Sequence, residues 1–239
     1  MSSRLIFGTH PVLEALAARR RDIAVVLTSE SIIEQQARRA QVPCERRSRP
    51  ELDQIAGPGA RHQGAIALVG EYPYATIDEV LAGAVPALVL ALDSVTDPQN
   101  LGALVRSAHV LGAGGVIVPR DRAAQVTPAV VRASAGATEH TRIASVVNLT
   151  RTLEELKERG LWIVGAVLAE GARAPWEVDL REPVVLVVGA ESTGLRRLVQ
   201  RVCDFAVRVP MTARGVGSLN AAAAGAVLLY EAVRQRRQP

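Results

Sequence analysis

Ala87-Leu88-Val89-Leu90-Ala91-Leu92-Asp93-Ser94-Val95-Thr96-Asp97-Pro98-Gln99-Asn100-Leu101-Gly102-Ala103-Leu104-Val105-Arg106 is the stretch that decides the fold. The apolar run from Ala87 to Leu92 reads as a buried strand. The chain then turns and starts a helix, with Asp97 as a good N-cap and Pro98 where a first helical residue tolerates proline. Asn100 falls in the first turn, among backbone N–H groups that lack helical partners. Gly102 and Arg106 are four apart and share one helix face. An amide, a bare backbone patch and a guanidinium are thereby expected at one strand end. In open α/β sheets that is where ligands bind.

The same alternation continues towards the C-terminus. Apolar strands are expected at 87–92, 115–118, 142–147, 161–168, 183–188 and 205–209. Helical patterns fall between them at 98–111, 128–138, 149–159 and 194–202, and a last helix runs from about Leu219 to Gln235. Strand–helix repetition of this kind predicts an α/β domain, a parallel sheet with helices on both faces, over 87–239. Upstream, residues 1–70 read as a smaller α/β module. Its helices are expected at Thr9 to Ala18, with Thr9 as cap, and at Glu30 to Ala40, with a helical turn near Pro50 to Ile55. Its strands are expected at 23–27, 42–45 and 64–69. Residues 71–86, with Pro73, Gly83 and Pro86, read as a connector.

Composition narrows the class. Of 239 residues, 49% are hydrophobic and only 3% aromatic, so the core must be built from Val, Leu, Ile and Ala, which suits a covered parallel sheet. There is no run of 18 apolar residues, so no transmembrane helix is expected, and Met1 to Gly8 lacks the apolar core of a signal peptide. Cys44 and Cys203 form neither a disulfide framework nor a zinc pattern. His10, His62, His109 and His140 are scattered, so no metal site is expected. The net charge of +4 gathers in arginine clusters, among them Arg19-Arg20-Arg21, Arg46-Arg47 and Arg236-Arg237. Clustered arginine can follow a phosphate backbone, or simply cover a solvated surface.

Two further segments carry polar or glycine-rich loops after strands. In Val184-Val185-Leu186-Val187-Val188-Gly189-Ala190-Glu191-Ser192-Thr193-Gly194, glycines let a ligand approach the backbone and Glu191 stands at the strand mouth. In Val207-Arg208-Val209-Pro210-Met211…Ser218-Leu219-Asn220, a strand ends at Pro210 and Ser218 is placed to cap the last helix. Neither a G-x-G-x-x-G after a strand, nor a P-loop, nor an H-E-x-x-H occurs.

Asn100-x-Gly102-x-x-x-Arg106, Gly189-Ala190-Glu191-x-x-Gly194 and Pro210-Met211…Ser218-Leu219-Asn220, in that order, resemble the three motifs of the SpoU, or TrmH, branch of the SPOUT methyltransferases. The first module, through Phe7-Gly8-x-His10-Pro11-Val12 and His62-Gln63-Gly64, resembles the family's L30e-like substrate-binding domain. The resemblance implies a trefoil knot at the C-terminal end and a homodimer joined through that region. It implies S-adenosylmethionine held by Gly189, Ala190, Gly194, Val209, Met211 and Leu219, and catalysis by Arg106, Asn100, Glu191, Ser218 and Asn220. Arg46, Arg47 and His62 would bind RNA, and the substrate would be a guanosine ribose in the peptidyl-transferase region of 23S rRNA, in the cytoplasm. The loop Thr212 to Gly217 is slightly longer than usual for such enzymes, and Ala221-Ala222 stands where many relatives have Val-Ser. The alternatives are a tRNA or another rRNA ribose as target, or a non-catalytic RNA-binding assembly factor. Binding of S-adenosylmethionine separates the last from the rest.

Overall fold

The computed structural model describes residues 4–169, 171–212 and 218–237. They fall into two units, 1–73 with 126–140, and 74–125 with 141–239.

In the first unit the chain runs β1 (Arg4–Phe7), α1 (Thr9–Ala18), β2 (Ile23–Thr28), α2 (Ser31–Arg39), β3 (Cys44–Arg46), α3 (Arg49–Ala56) and β4 (Ala65–Val69). The sheet order is β1-β4-β2-β3, with only β2 and β3 parallel. Strand β1 is an element that the apolar periodicity does not reveal, because only four residues carry it. Thr9 lies inside α1 rather than capping it. The cap position is Gly8, at φ 110, a backbone conformation that favours glycine. Thr9 instead ties α1 to Gln63, whose side-chain oxygen accepts from the Thr9 N–H at 3.2 Å.

The second unit holds α4 (Ile77–Leu81), β5 (Leu88–Asp93), α5 (Pro98–Val110) and β6 (Gly115–Pro119). The intervening helix α6 (Pro128–Ala133) belongs to the first unit, together with a 3-10 turn at Ala137–Glu139. One continuous helix was expected over 128–138. It breaks because Ala135 and Gly136 both turn left-handed, at φ 53 and 88. A Cβ on Gly136 would lie 2.6 Å from the Cβ of Glu14 on α1, so the break lets this segment pack closely. Arg21 and Glu139, almost fully buried, close the same contact with an ion pair at 2.6 Å.

The second unit resumes with β7 (Ile143–Val146), α7 (Leu149–Glu158), β8 (Trp162–Ala166), β9 (Val184–Gly189), α8 (Arg197–Val202), β10 (Phe205–Val207) and α9 (Ala221–Arg237). Its six strands are ordered β10-β8-β9-β5-β6-β7, and every pair is parallel. Successive side chains alternate between faces. Val89, Ala91, Ile117, Ile163, Val185 and Val187 face a core shared with Val80 of α4, Leu149, Leu153 and Leu156 of α7, and Val199 of α8. On the other side α9 crosses α5 and β9. A Cβ on Gly225 would lie 2.3 Å from Leu104 and 3.5 Å from Val188, so this glycine sets how closely the helix packs. Strands β5 and β9 lie side by side with Leu92 opposite Val188 and Asp93 opposite Gly189. The first and second motifs, almost ninety residues apart in sequence, therefore leave the sheet at the same edge.

The C-terminal end of α9 is fastened firmly. The Arg236 guanidinium donates to the carbonyls of Pro86, Ala87, Leu180 and Glu182. Buried Gln235 donates to Val178 and accepts from the Leu180 N–H at 2.8 Å. Part of the C-terminal arginine cluster is thus structural.

Candidate active site

The carboxyl ends of β8, β9 and β10 open into a pocket of about 280 Å³. It is lined by Ala166 to Ala169, by Val188 to Leu195, by Val207, Val209 and Met211, and by Ser218, Leu219, Ala221, Ala224 and Leu228. All six residues expected to hold the cofactor line it: Gly189, Ala190, Gly194, Val209, Met211 and Leu219. Ser192, Thr193 and Gln200 also line it and were not singled out in the sequence. Their only sequence signal is proximity to the glycine-bounded turn.

The wall made by residues 189–195 is a tight loop. The Gly194 N–H donates to the Ala190 carbonyl at 2.8 Å, and Gly194 takes φ 65. A Cβ on Gly189 would sit 2.2 Å from the Gly194 carbonyl carbon. No side chain fits there, so the loop folds against its own strand end only with glycine. Gln200 braces it by donating to the Leu195 carbonyl at 2.7 Å. This tight loop delays α8 to Arg197, three residues after the expected start at Gly194.

Three of the expected catalytic residues join in one chain. Asn220 Nδ2 donates to Asn100 Oδ1 at 2.7 Å, and Asn100 Nδ2 donates to Glu191 Oε2 at 3.4 Å. Asn220 Oδ1 accepts from the Ala223 N–H at 3.0 Å, and its carbonyl accepts from the Ala224 N–H. Asn220 is therefore the N-cap of α9. That corrects the expectation for Ser218, which lies two residues before the cap and lines the pocket instead. Asp97 and Pro98 play their expected parts at the start of α5, with Asp97 accepting from the Gln99 N–H at 2.9 Å.

Arg106 stands apart from this chain. It is exposed on α5, does not line the pocket, and makes no ion pair or side-chain hydrogen bond among the described residues.

Sequence reasoning missed Asp93 and Arg196. Asp93 ends β5 with no exposed surface. Its carboxylate accepts from the Arg196 N–H at 2.7 Å and from Arg196 Nε at 2.6 Å. A buried carboxylate needs such partners. Here the partner is the residue that immediately follows the pocket loop, so the ion pair pins that loop to the end of the first-motif strand. The visible signal was a lone acid ending an otherwise apolar strand.

Cys203 is packed beneath β8, where a Cβ on Gly165 would come within 2.7 Å of its sulfur. Burial, with the Asp204 charge adding to it, pushes its thiol up to about 11, so it is no nucleophile at neutral pH. Among the described residues no group of three or more His, Cys, Asp or Glu stands together as metal ligands.

In the first unit, Arg46 pairs with Glu34 at 3.3 Å, Arg47 with Glu45, and Arg49 with Glu30 at 3.1 Å. These arginines stay largely exposed while their charge is partly balanced. His62 is different. It is buried, its Nδ1 accepts from the Gly64 N–H at 3.0 Å, and its Nε2 donates to Asp53 at 2.9 Å. Both ring nitrogens bond within the unit, and His62 shapes the turn before β4.

This parallel sheet, with its glycine-walled pocket at the central strand ends, is shared with solved α/β methyltransferases of the SPOUT fold. A solved structure of the SpoU methyltransferase AviRb from Streptomyces viridochromogenes in complex with the cofactor AdoMet superposes with a TM-score of 0.82 at 29% identity, over 98% of this chain and 90% of that one. Residues 87–230 match the SpoU rRNA Methylase family, and residues 5–75 match the RNA 2'-O ribose methyltransferase substrate binding family. The chain belongs to the SpoU methylase family. It is 40% identical to the 23S rRNA (guanosine-2'-O-)-methyltransferase RlmB of Pseudomonas putida, over 97% of this chain and 96% of that protein. It is 39% identical to RlmB of Pseudomonas aeruginosa over the same shares.

Proposed function

We propose that this protein transfers the methyl group of S-adenosylmethionine to a ribose 2′-hydroxyl of RNA, on a guanosine in the peptidyl-transferase region of 23S rRNA. The observation that carries the reading is the Asn220–Asn100–Glu191 chain, which starts at a helix cap and ends on a carboxylate lining the pocket. It links one residue from each of the three motifs. Only RNA carries the 2′-hydroxyl, so the substrate class follows from the chemistry.

The pocket suits the cofactor. Its wall is mostly apolar side chain, as an adenosyl group requires, and the 189–195 loop exposes backbone where only glycine can stand. When bound, S-adenosylmethionine supplies an electrophilic methyl carbon on a sulfonium. The chain's own residues hold the ribose oxygen in line with it and manage the proton. Asn100 and Asn220 orient the ribose, and Glu191 anchors the amide chain. Ser218, Met211 and Leu219 line the pocket, and residues 213–217 lie outside the described residues. We assign Arg106 the role of a cation that binds phosphate and stabilises the developing alkoxide, because a guanidinium is a poor proton acceptor.

Arg46 and Arg47 are assigned to RNA. Phosphates can exchange for the carboxylates that now pair with them. The protein acts in the cytoplasm as a homodimer joined through the catalytic unit, where α9 exposes Val227 and Tyr230. The trefoil knot belongs to the same reading; residues 213–217 of the third-motif segment lie outside the described residues.

Ribose-methylation mapping of total RNA from cells with and without the gene tests this. A 23S guanosine that loses its methyl group in the deleted strain is the expected result. A lost tRNA site would move the substrate, and no lost site would overturn the activity. Arg106→Ala is expected to abolish turnover nearly completely while the protein still binds S-adenosylmethionine.

A further inference from the structure

The carboxyl edge of the parallel sheet carries one more loop, residues 119–125, which leaves β6. Strand β6 is the neighbour of β5, with Ala91 opposite Ile117. Continuing that register puts Pro119 level with Asp93. The loop is bonded to the first motif itself, since the Ala124 N–H donates to the Val95 carbonyl at 2.8 Å.

The loop is held from inside. Gln125 Nε2 donates to the carbonyls of Pro119 at 2.9 Å, Arg120 at 3.1 Å and Ala123 at 3.4 Å. Its Oε1 accepts from the Tyr74 hydroxyl at 3.0 Å. Arg122 is kept at φ 56, a left-handed conformation that a long side chain rarely adopts. The side chains this bracing presents are Arg120, Asp121 and Arg122, all exposed. Arg46, Arg47 and Arg49 each have a glutamate partner. Arg120 and Arg122 have none, and not even Asp121 pairs with them, among the described residues.

Position gives these cations a use. Along the sheet edge the order is β8 and β9 with the pocket, then β5 with Asn100, then β6 with the arginine loop. Strands lie about 4.8 Å apart, so the loop stands roughly 10 Å from the end of β9. A nucleotide whose ribose sits between the pocket and Asn100 must send its backbone off along this edge in one direction or the other.

We propose that Arg120 and Arg122 form a phosphate-binding rim for the RNA strand that flanks the target ribose. The proposal rests on the methyl-transfer reading above and adds the contacts that hold the strand in register. Phosphate contacts of this kind position a strand without reading its sequence. Asp121, set between the two, tempers non-specific binding.

The test measures binding of an in vitro 23S rRNA transcript against salt concentration, for the wild-type protein and for R120A/R122A. The expected result is roughly tenfold weaker RNA binding and a log–log salt slope shallower by about 1 to 2, as for two lost phosphate contacts. Affinity for S-adenosylmethionine should stay within twofold. Because Arg122 sits in a strained conformation, R120A/R122G, which relieves it, must give the same loss. Asp121→Asn should tighten binding. Unchanged RNA affinity and salt slope in both double variants would overturn the rim. Failure of the wild-type protein to methylate any RNA while the double variants still lost binding would instead overturn the methyl-transfer reading and leave the rim standing.

Discussion

Asn220 donates from Nδ2 to Asn100 Oδ1 across 2.7 Å, and the direction of that bond is dictated by the helix that Asn220 caps. The Ala223 N–H can only donate, so Asn220 Oδ1 must accept and its Nδ2 must face Asn100. Asn100 then presents its oxygen to Asn220 and its own Nδ2 to the Glu191 carboxylate. An amide has no other way to satisfy both neighbours. The start of α9 therefore decides which atom the first motif offers to the second.

Asn220→Asp separates the cap from the network. Aspartate caps a helix about as well as asparagine, so stability should hold within about 0.5 kcal/mol. It cannot donate to Asn100, and a flipped Asn100 would point its oxygen at Glu191. Single-turnover methylation should slow by roughly 10- to 100-fold, the range of a lost positioning contact. Normal turnover in N220D would show that the polarity of the chain is irrelevant.

Asp93→Asn keeps the shape of the side chain but removes the charge that faces Arg196. Breaking a fully buried ion pair costs about 3–5 kcal/mol. Arg196 is 44% exposed, so we expect about 2–3 kcal/mol, read from urea unfolding. The freed pocket loop should also weaken S-adenosylmethionine binding, by calorimetry, more than it weakens RNA binding.

Gly189→Ala drives a Cβ against backbone rather than against a side-chain tip. The loop must move, so S-adenosylmethionine affinity should fall at least tenfold, one of the large losses that a strained backbone site produces. Retained affinity in a folded G189A protein would mean that the loop is not the pocket wall.

Glu139→Ala leaves Arg21 buried without its carboxylate, although the two lie 118 residues apart in sequence. We expect a loss of about 3–5 kcal/mol. Arg21→Ala should cost a similar amount, and the double variant much less than the sum. Strict additivity in chemical denaturation would show that the pair does not act as one unit.

Cys203 should resist alkylation at pH 8, where a thiol at about 11 has on the order of 0.1% thiolate. Its pKa is raised above the ordinary 9.0, so between about pH 9 and 11 the folded chain keeps a proton that the unfolded chain has lost. Stability must therefore fall as pH rises through that window. Rapid labelling at pH 8 in the native state would contradict the burial.

Much of this molecule was legible in the chain. Hydrophobic runs gave the six strands of the parallel sheet, most plainly β5, β6 and β9, which are buried throughout, because strands covered on both faces need no polar side. Asp97-Pro98 marked the start of α5, and the glycine-bounded turn after Val188 marked the pocket wall, because both depend on local backbone chemistry. What periodicity does not carry is which strand ends become neighbours. β5 and β9 lie side by side only in the folded sheet, and that adjacency brings Asn100 to Glu191 and Asp93 to Arg196. The same limit hid the affiliation of residues 126–140 with the first unit, since a buried Arg21–Glu139 pair leaves no local trace. It also concealed that both ring nitrogens of His62 bond within its own unit and that Asn220, not Ser218, caps α9. Sequence alone determined most of the elements and the residue types at their ends, but neither β1 nor the break after Ala133. Tertiary structure decided which of those ends meet, because hydrogen bonds and ion pairs act over about 3 Å and only the packed sheet closes that distance.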